Sequence, residues 1–258
     1  MNPVAFTIFG LDIRWYALLI TSGIILGAVL AMREAKRVGY DPDIILDMLL
    51  WCVPAAVIGA RAYYVIFEWS YFSSHPAEIL AIRNGGLAIH GAIIGAFITG
   101  YFFTRKKGLS FFKLTDIAAP SLVLGQAIGR WGNFLNQEVH GGPVSEQFIA
   151  HFPKFIRDQM YIGGTYYQPT FLYESAWDFA VFLILFFLRK HTKHDGELIG
   201  GYLVLYSIGR FFVEGLRTDS LMLGPLRIAQ VMSILLIIAG LGLIIYLRRA
   251  KGFSRKQP

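Results

Sequence analysis

Charge is scarce in this sequence. Only 16% of its 258 residues are charged, where a soluble domain carries about a quarter, so a water-soluble globule and a disordered chain are both excluded. Cysteine is nearly absent. The single Cys52 lies inside an apolar run, which rules out an internal disulfide or a cysteine metal cluster. No basic segment precedes the first apolar stretch and no A-x-A-like site follows it, so no cleavable signal peptide is expected. Internal repeats and inverted halves are not visible either. What the chain has in abundance is apolar residues, 55% of the total, with a mean hydropathy of +0.52. They fall in separated runs of roughly 18 to 22, the length that spans a bilayer core as helix.

The pattern predicts an all-α integral membrane protein, a single polytopic domain over 1–258. Seven transmembrane helices are expected at about 14–32, 46–67, 87–104, 116–135, 171–188, 198–216 and 226–247. The net charge of +7 sits in short clusters between these runs, where it sets topology and meets anionic lipid rather than nucleic acid. One set of connections holds Arg33, Lys36 and Arg37, then Arg105, Lys106, Lys107 and Lys113, then Arg189, Lys190 and Lys193. The tail adds Arg248, Arg249, Lys251, Arg255 and Lys256. By the positive-inside rule the N-terminus is outside and the C-terminus cytoplasmic, with Arg14 as a weak contrary vote. The one long outward connection, about 136–170, is rich in aromatic residues and is expected to form a small external cap between helices four and five.

Ionisable groups within a bilayer are costly and mark functional candidates. At about 1.5 Å per residue, they gather at one level in the outer half of the membrane. Tyr16 and Arg61 come from the first two helices and His90 from the third. Arg130, Asn133, Asn136 and Glu138 end the fourth, and Tyr173 and Glu174 open the fifth. Tyr206, Arg210 and Glu214 share one face of the sixth at i, i+4 and i+8. Guanidinium forks suit phosphate, so three Arg at headgroup level point to an anionic phospholipid. Glu138, Glu174 and Glu214 can orient them. His90, with an ordinary pKa of about 6.5, can move a proton at neutral pH.

Blander readings stand beside these. An Arg near a helix end can simply snorkel, an intramembrane His can bond across to a neighbouring helix, and Tyr16 beside Trp15 can be an interface anchor. Gly91-x-x-x-Gly95 and Gly125-x-x-x-Gly129 read as helix-packing patterns, and Cys52 as packing. Transport and non-catalytic lipid binding are the rival classes. Against transport, the inner halves of the helices carry almost no polar residues, so no continuous path is visible.

The stretch Gly129-Arg130-Trp131-Gly132-Asn133-Phe134-Leu135-Asn136-Gln137-Glu138-Val139-His140-Gly141 resembles the signature of the prolipoprotein diacylglyceryl transferase family, G-R-x-G-N-F-hydrophobic-N-x-E-x-x-G, at every fixed position. Trp15-Tyr16 resembles the family's early W-Y pair, and Gly86-Leu87-Ala88-Ile89-His90-Gly91 its glycine-histidine segment. Tyr206 to Glu214 is similar to its Y-x-x-x-R-x-x-x-E helix. Where the family often has H-P-x-Q-L-Y-E, this chain has Gln168-Pro169-Thr170-Phe171-Leu172-Tyr173-Glu174, with Gln for His and Phe for Gln, so a role for that first His does not carry over.

The resemblance implies transfer of an sn-1,2-diacylglyceryl group from phosphatidylglycerol to the lipobox cysteine of a preprolipoprotein, in the bacterial cytoplasmic membrane, with glycerol 1-phosphate as leaving group. On this reading Arg130 and Arg210 clamp the phosphate. Asn133, Asn136, Glu138, Gly141, Tyr206, Glu214 and Arg61 help bind the headgroup, with Tyr173 and Glu174 in support. His90 is the expected base for the thiol, with Tyr16 positioning or relaying the proton. No metal, cofactor or nucleic acid is expected.

Overall fold

The computed structural model describes residues 3–8, 10–82, 85–218 and 222–249. The basic residues Lys251, Arg255 and Lys256 of the tail lie outside them. Among the described residues, seven helices have 18 residues or more: α1 (Trp15–Arg37), α2 (Asp43–Phe67), α4 (Ile89–Lys107), α5 (Phe111–Asn136), α8 (Thr170–Leu188), α9 (Glu197–Glu214) and α10 (Ile228–Arg249). Short helices α3 (Trp69–Phe72), α6 (Glu146–Ile149) and α7 (Lys154–Gln159) and a 3-10 turn, Pro76–Leu80, lie in the connections. Four of the long helices, α1, α2, α8 and α10, are long and apolar enough to cross a membrane.

Several helices overrun their apolar stretches by a turn. Hydropathy registers only the apolar part, whereas the backbone keeps its hydrogen bonds until a stop signal arrives. For α4 that signal is Gly108, in the left-handed region at φ +68°, after the basic turn Arg105-Lys106-Lys107, whose charges favour a helix C-terminus.

The all-helical expectation is amended in the connections. A hairpin of β1 (Val4–Ile8) and β2 (Leu11–Arg14) leads into α1, and one of β6 (Met222–Leu223) and β7 (Leu226–Arg227) leads into α10. Within the expected cap, β3 (Pro143–Val144), β5 (Thr165–Tyr167) and β4 (Tyr161–Ile162) form an antiparallel sheet in the order β3-β5-β4. The β4–β5 turn is Gly163-Gly164, at φ +57° and +87°. Two positive φ values in a two-residue loop are what a tight hairpin requires and what glycine supplies.

The chain divides into two compact units, Met1–Ala31 with Thr115–Pro258, and Met32–Leu114. In the smaller unit α2 and α4 pack through glycine. A Cβ on Gly91 would strike the carbonyl of Gly59 and the side chain of Tyr63, and one on Gly95 the carbonyl of Ala55. The backbones therefore touch, and bulk faces outward: Leu50, Trp51, Ile58, Ile93 and Phe97 are all at least 60% exposed. That distribution suits helices whose packing is van der Waals contact between small residues, with large apolar side chains left for lipid. Cys52 sits in the same interface, its Sγ 3.7 Å from the carbonyl oxygen of Ala96.

In the larger unit α1 meets α5 by the same means, Gly23 against Gly125 and Gly27 against Ser121. The buried Asp116 of α5 caps α9 from a distance, accepting hydrogen bonds from the backbone N–H groups of Gly196 (2.8 Å) and Ile199 (2.9 Å). Gly200 and Gly240 bring α9 and α10 together. Gly59→Leu should abolish recovery of monodisperse protein from detergent. Gly242→Ala, where a Cβ would meet nothing within 4 Å, should behave as wild type. Equal yields of the two by size-exclusion chromatography would contradict the close-packed interface.

Candidate functional site

The centre of the site is one carboxylate. Glu174, in the first turns of α8, directs Oε2 to Arg130 Nε of α5 at 2.6 Å and accepts from Arg210 Nη1 of α9 at 2.8 Å through Oε1. Arg210 turns its other terminal nitrogen to Glu214 Oε2, 2.6 Å away and one turn along α9. Asp178 Oδ2 stands 4.0 Å from Arg130 Nε, and Arg217 Nε stands 4.0 Å from Glu214. The order is Asp178, Arg130, Glu174, Arg210, Glu214, Arg217, with the signs of charge alternating. Glu174, Asp178 and Glu214 are buried, at 5%, 3% and 4% exposure. Unpaired, each carboxylate would be very costly there; alternation is what makes their burial tolerable.

Apolar contacts set the register that brings these charges together. The Trp131 indole N–H donates to Ser175 Oγ at 3.1 Å, and Ser175 in turn donates to the Ala127 carbonyl at 2.8 Å. Phe134 stacks on Phe171 at 4.4 Å. These hold α5 against α8 on either side of the Arg130–Glu174 pair. On the other flank Trp177 N–H donates to the Leu205 carbonyl at 2.9 Å, and its ring lies where a Cβ on Gly209 would be. Gly209 lets α9 approach close enough for Arg210 to reach Glu174.

Tyr16 joins this end of the larger unit. Its ring lies against Gly132, where any Cβ would overlap it, so the signature glycine seats the tyrosine beside the Arg130–Asn133 turn. Beyond α5 the chain turns sharply: Gln137 and Val139 have φ of +55° and +60°. Positive φ is an outlier for a β-branched residue. Between them Glu138 is exposed and accepts from the amides of Asn133 (3.2 Å) and Asn136 (3.3 Å). Glu138 was expected to orient an Arg; here it organises the two asparagines instead. Gly141 pairs with Gln168 through its N–H (3.0 Å), and a side chain on it would collide with Gln168 and Thr170. Tyr173 packs on Phe152 of the cap, not on either Arg.

Arg61 and His90 belong to the smaller unit. Arg61, expected among the headgroup ligands, is already engaged. Its Nε donates to the Ile79 carbonyl, Nη1 to those of Gly85 and Gly86, and Nη2 to that of Glu78, at 2.7–3.0 Å. That uses four of its five N–H groups to shape the loop after α3, around an open cavity of about 340 Å³ lined also by Tyr64, Glu68 and Tyr71. The Tyr71 hydroxyl donates to Glu78 there (2.9 Å), and that bond raises its pKa above the ordinary value. His90 lies in the first turn of α4, exposed, with its ring 5.8 Å from that of Tyr63.

Sequence reasoning missed Asp178, Arg217, Gln126 and Tyr202. A carboxylate four residues after Glu174 inside an apolar run was a readable sign, since that spacing repeats a helix face. Chemically, Arg130 and Arg210 give the cluster two guanidinium groups of the kind that can bind an anion. The closest contacts of Arg130 with Glu174 (2.6 Å) and with Asp178 (4.0 Å) are both made through Nε. Both Nη groups of Arg210 are held by carboxylates. Glu174→Gln should therefore lower stability by about 3 kcal/mol, because it breaks a buried pair on two sides, whereas Glu138→Gln at an exposed position should cost less than about 0.5 kcal/mol. Thermal unfolding in detergent compares them, and equal losses would remove Glu174 from its central place.

The sequence matches the family model described as prolipoprotein diacylglyceryl transferase over residues 3–246. It is 55% identical over 260 residues to the phosphatidylglycerol–prolipoprotein diacylglyceryl transferase of Bacillus velezensis, and 55% identical over 259 residues to those of Bacillus mycoides and Bacillus cereus. In each case the match covers 100% of this chain and 96% of the relative. With the signature Arg130 paired across α5 and α8 and matched over nearly its whole length, this chain belongs to the prolipoprotein diacylglyceryl transferase family.

Proposed function

We propose that this protein transfers the sn-1,2-diacylglyceryl group of phosphatidylglycerol to the lipobox cysteine of a preprolipoprotein, the first step of bacterial lipoprotein maturation. The single observation that carries the chemistry is the joining of Arg130 and Arg210 through Glu174, in a chain 55% identical to named transferases along its length. A new carbon–sulfur bond forms at the glyceryl carbon. The carbon–oxygen bond to phosphate breaks, the thiol proton goes to a base, and glycerol 1-phosphate leaves with the electron pair.

Two barriers oppose this step. A free thiol with a pKa of about 8.5 is only a few per cent thiolate at neutral pH, and the departing phosphate gains charge where the dielectric is low. Arg130, whose closest carboxylate contacts are both through Nε, turns its Nη groups to two phosphate oxygens, and Arg210 supports it through Glu174. Asn133, Asn136, Glu138 and Gly141 shape the headgroup pocket, and Tyr206 and Glu214 hold the guanidinium pair from α9. His90 takes the thiol proton and Tyr16 positions it. The displacement needs neither metal nor cofactor.

In this reading the chain is one polytopic domain of seven spans in the bacterial plasma membrane, N-terminus outside, C-terminus cytoplasmic, with about 136–170 as an external cap. The distribution of charge at the helix ends supports it. Long helices α1, α4 and α10 finish in basic turns, whereas α2, α5 and α9 have none there.

Purified protein incubated with phosphatidylglycerol and a lipobox peptide should add one diacylglyceryl mass to the peptide, and none to a Cys→Ser peptide. No mass gain from folded wild-type protein would overturn the reading. Arg130→Lys keeps the charge but loses the fork, so turnover should fall on the order of a hundredfold. His90→Gln should cost on the order of a hundredfold at neutral pH. Near-full turnover by His90→Gln would remove it as the base.

A further inference from the structure

One turn below the arginine pair, on the cytoplasmic side in the proposed orientation, the larger unit holds a second polar contact that the reaction as described does not use. Gln126 lies four residues before Arg130 on α5, and Tyr202 four residues before Tyr206 on α9. The Gln126 amide donates to the Tyr202 hydroxyl at 3.0 Å, and the hydroxyl lies 3.2 Å from the same amide's oxygen, to which it can donate. Neither side chain is exposed, and Tyr202 packs on the apolar cluster of Ala119, Val123, Val181, Leu185 and Leu198. Above it, the ring of Tyr202 lies nearly parallel to that of Tyr206, centroids 5.5 Å apart and planes 15° apart. Tyr206 stands one turn before Arg210 on α9 and lies within interaction range of Arg130.

Stability does not require this arrangement. Replacing both members of a buried hydrogen-bonded pair by apolar groups of similar shape can be nearly neutral or stabilising. What the hydrogen bond adds is orientation. A phenol with a free hydroxyl can swing about χ1 beneath its stacked neighbour; one tied by its hydroxyl to a facing helix keeps its ring in place. Holding Tyr202 in place supports the stacked ring of Tyr206 from below, and Tyr206 then bears on Arg130 from α9 while Glu174 bears on it from α8.

We infer that Gln126 and Tyr202 are positioning residues for the transfer reaction, acting through the Tyr206 ring to aim the Arg130 fork at the phosphate. The inference rests on the proposed function. Small misplacements of a group that acts in the transition state cost up to about a hundredfold in rate, and Tyr202 stands one residue removed from such a group.

Kinetics and a spectroscopic readout together test it. In Tyr202→Phe and in Gln126→Leu, kcat per folded enzyme should fall about tenfold while KM for phosphatidylglycerol stays within about twofold. The double variant should be no slower than either single one, since both remove the same bond. In a Tyr206→Phe background, Tyr202→Phe should cost nothing further. Losses that multiply in the double variant, or unchanged kcat in both single variants, would overturn the inference. Fluorotyrosine placed at position 206 and observed by 19F NMR reads the ring without any turnover. One resonance in wild type that splits or broadens in Gln126→Leu supports the inference, and an unchanged resonance contradicts it. Absence of transfer by wild type would instead strike the functional reading, so the two failures are separable.

Discussion

Two guanidinium groups can share a small buried space only if something negative lies between them, and here that is the carboxylate of Glu174. Each of its oxygens serves a different helix, Oε2 for Arg130 of α5 and Oε1 for Arg210 of α9. Remove it and two like charges face one another in a medium that screens poorly. The repulsion would push α5 and α9 apart or force both arginines toward solvent. Most of what surrounds the site follows from keeping Glu174 in place. Trp131, Ser175 and the Phe134–Phe171 stack lock α8 to α5. Trp177 over Gly209 locks α8 to α9.

The same carboxylate explains why the two arginines differ. Arg210 has both Nη groups on carboxylates, Glu174 and Glu214, so fewer of its N–H donors remain for a phosphate. Arg130 meets Glu174 most closely through Nε, and the buried Asp178 stands 4.0 Å from the same nitrogen. In the proposed reaction Arg130 is the ligand and Arg210 the brace. A cluster of three carboxylates and three guanidinium groups is close to neutral before substrate arrives, which lets it lie buried without substrate. A phosphate bound as proposed would meet a donor already oriented, with little reorganisation left for the transition state.

How much of this could be read from the chain varies with the range of the interaction. Arg210 and Glu214 are one helical turn apart, so their pairing follows from spacing alone, and it is present. The signature around Arg130 marks its residues, but nothing local says that Arg130 will find Glu174, 44 positions later, instead of Glu138. Asp178, Gln126 and Tyr202 lie one turn deeper than the level at which polar residues were expected to converge. Arg61 looked like a headgroup ligand because its charge sits near a helix end. Its actual partners are backbone carbonyls of residues 78–86, and backbone acceptors leave no trace in composition. The β4–β5 hairpin was not expected, because hydropathy does not register a Gly163-Gly164 pair, although two glycines between short β-prone stretches are the local signal for a tight turn.

The central claim is that Arg130 and Arg210 act as one unit through a shared carboxylate. A double-mutant cycle on kcat/KM for phosphatidylglycerol measures this directly, using Arg130→Ala, Arg210→Ala and the combination, with folded protein quantified for each. If the two arginines serve one phosphate through Glu174, losing either disables the unit, and the double variant should be about as slow as the slower single one. Losses that multiply would mean two independent contributions, and the account built on Glu174 would be wrong.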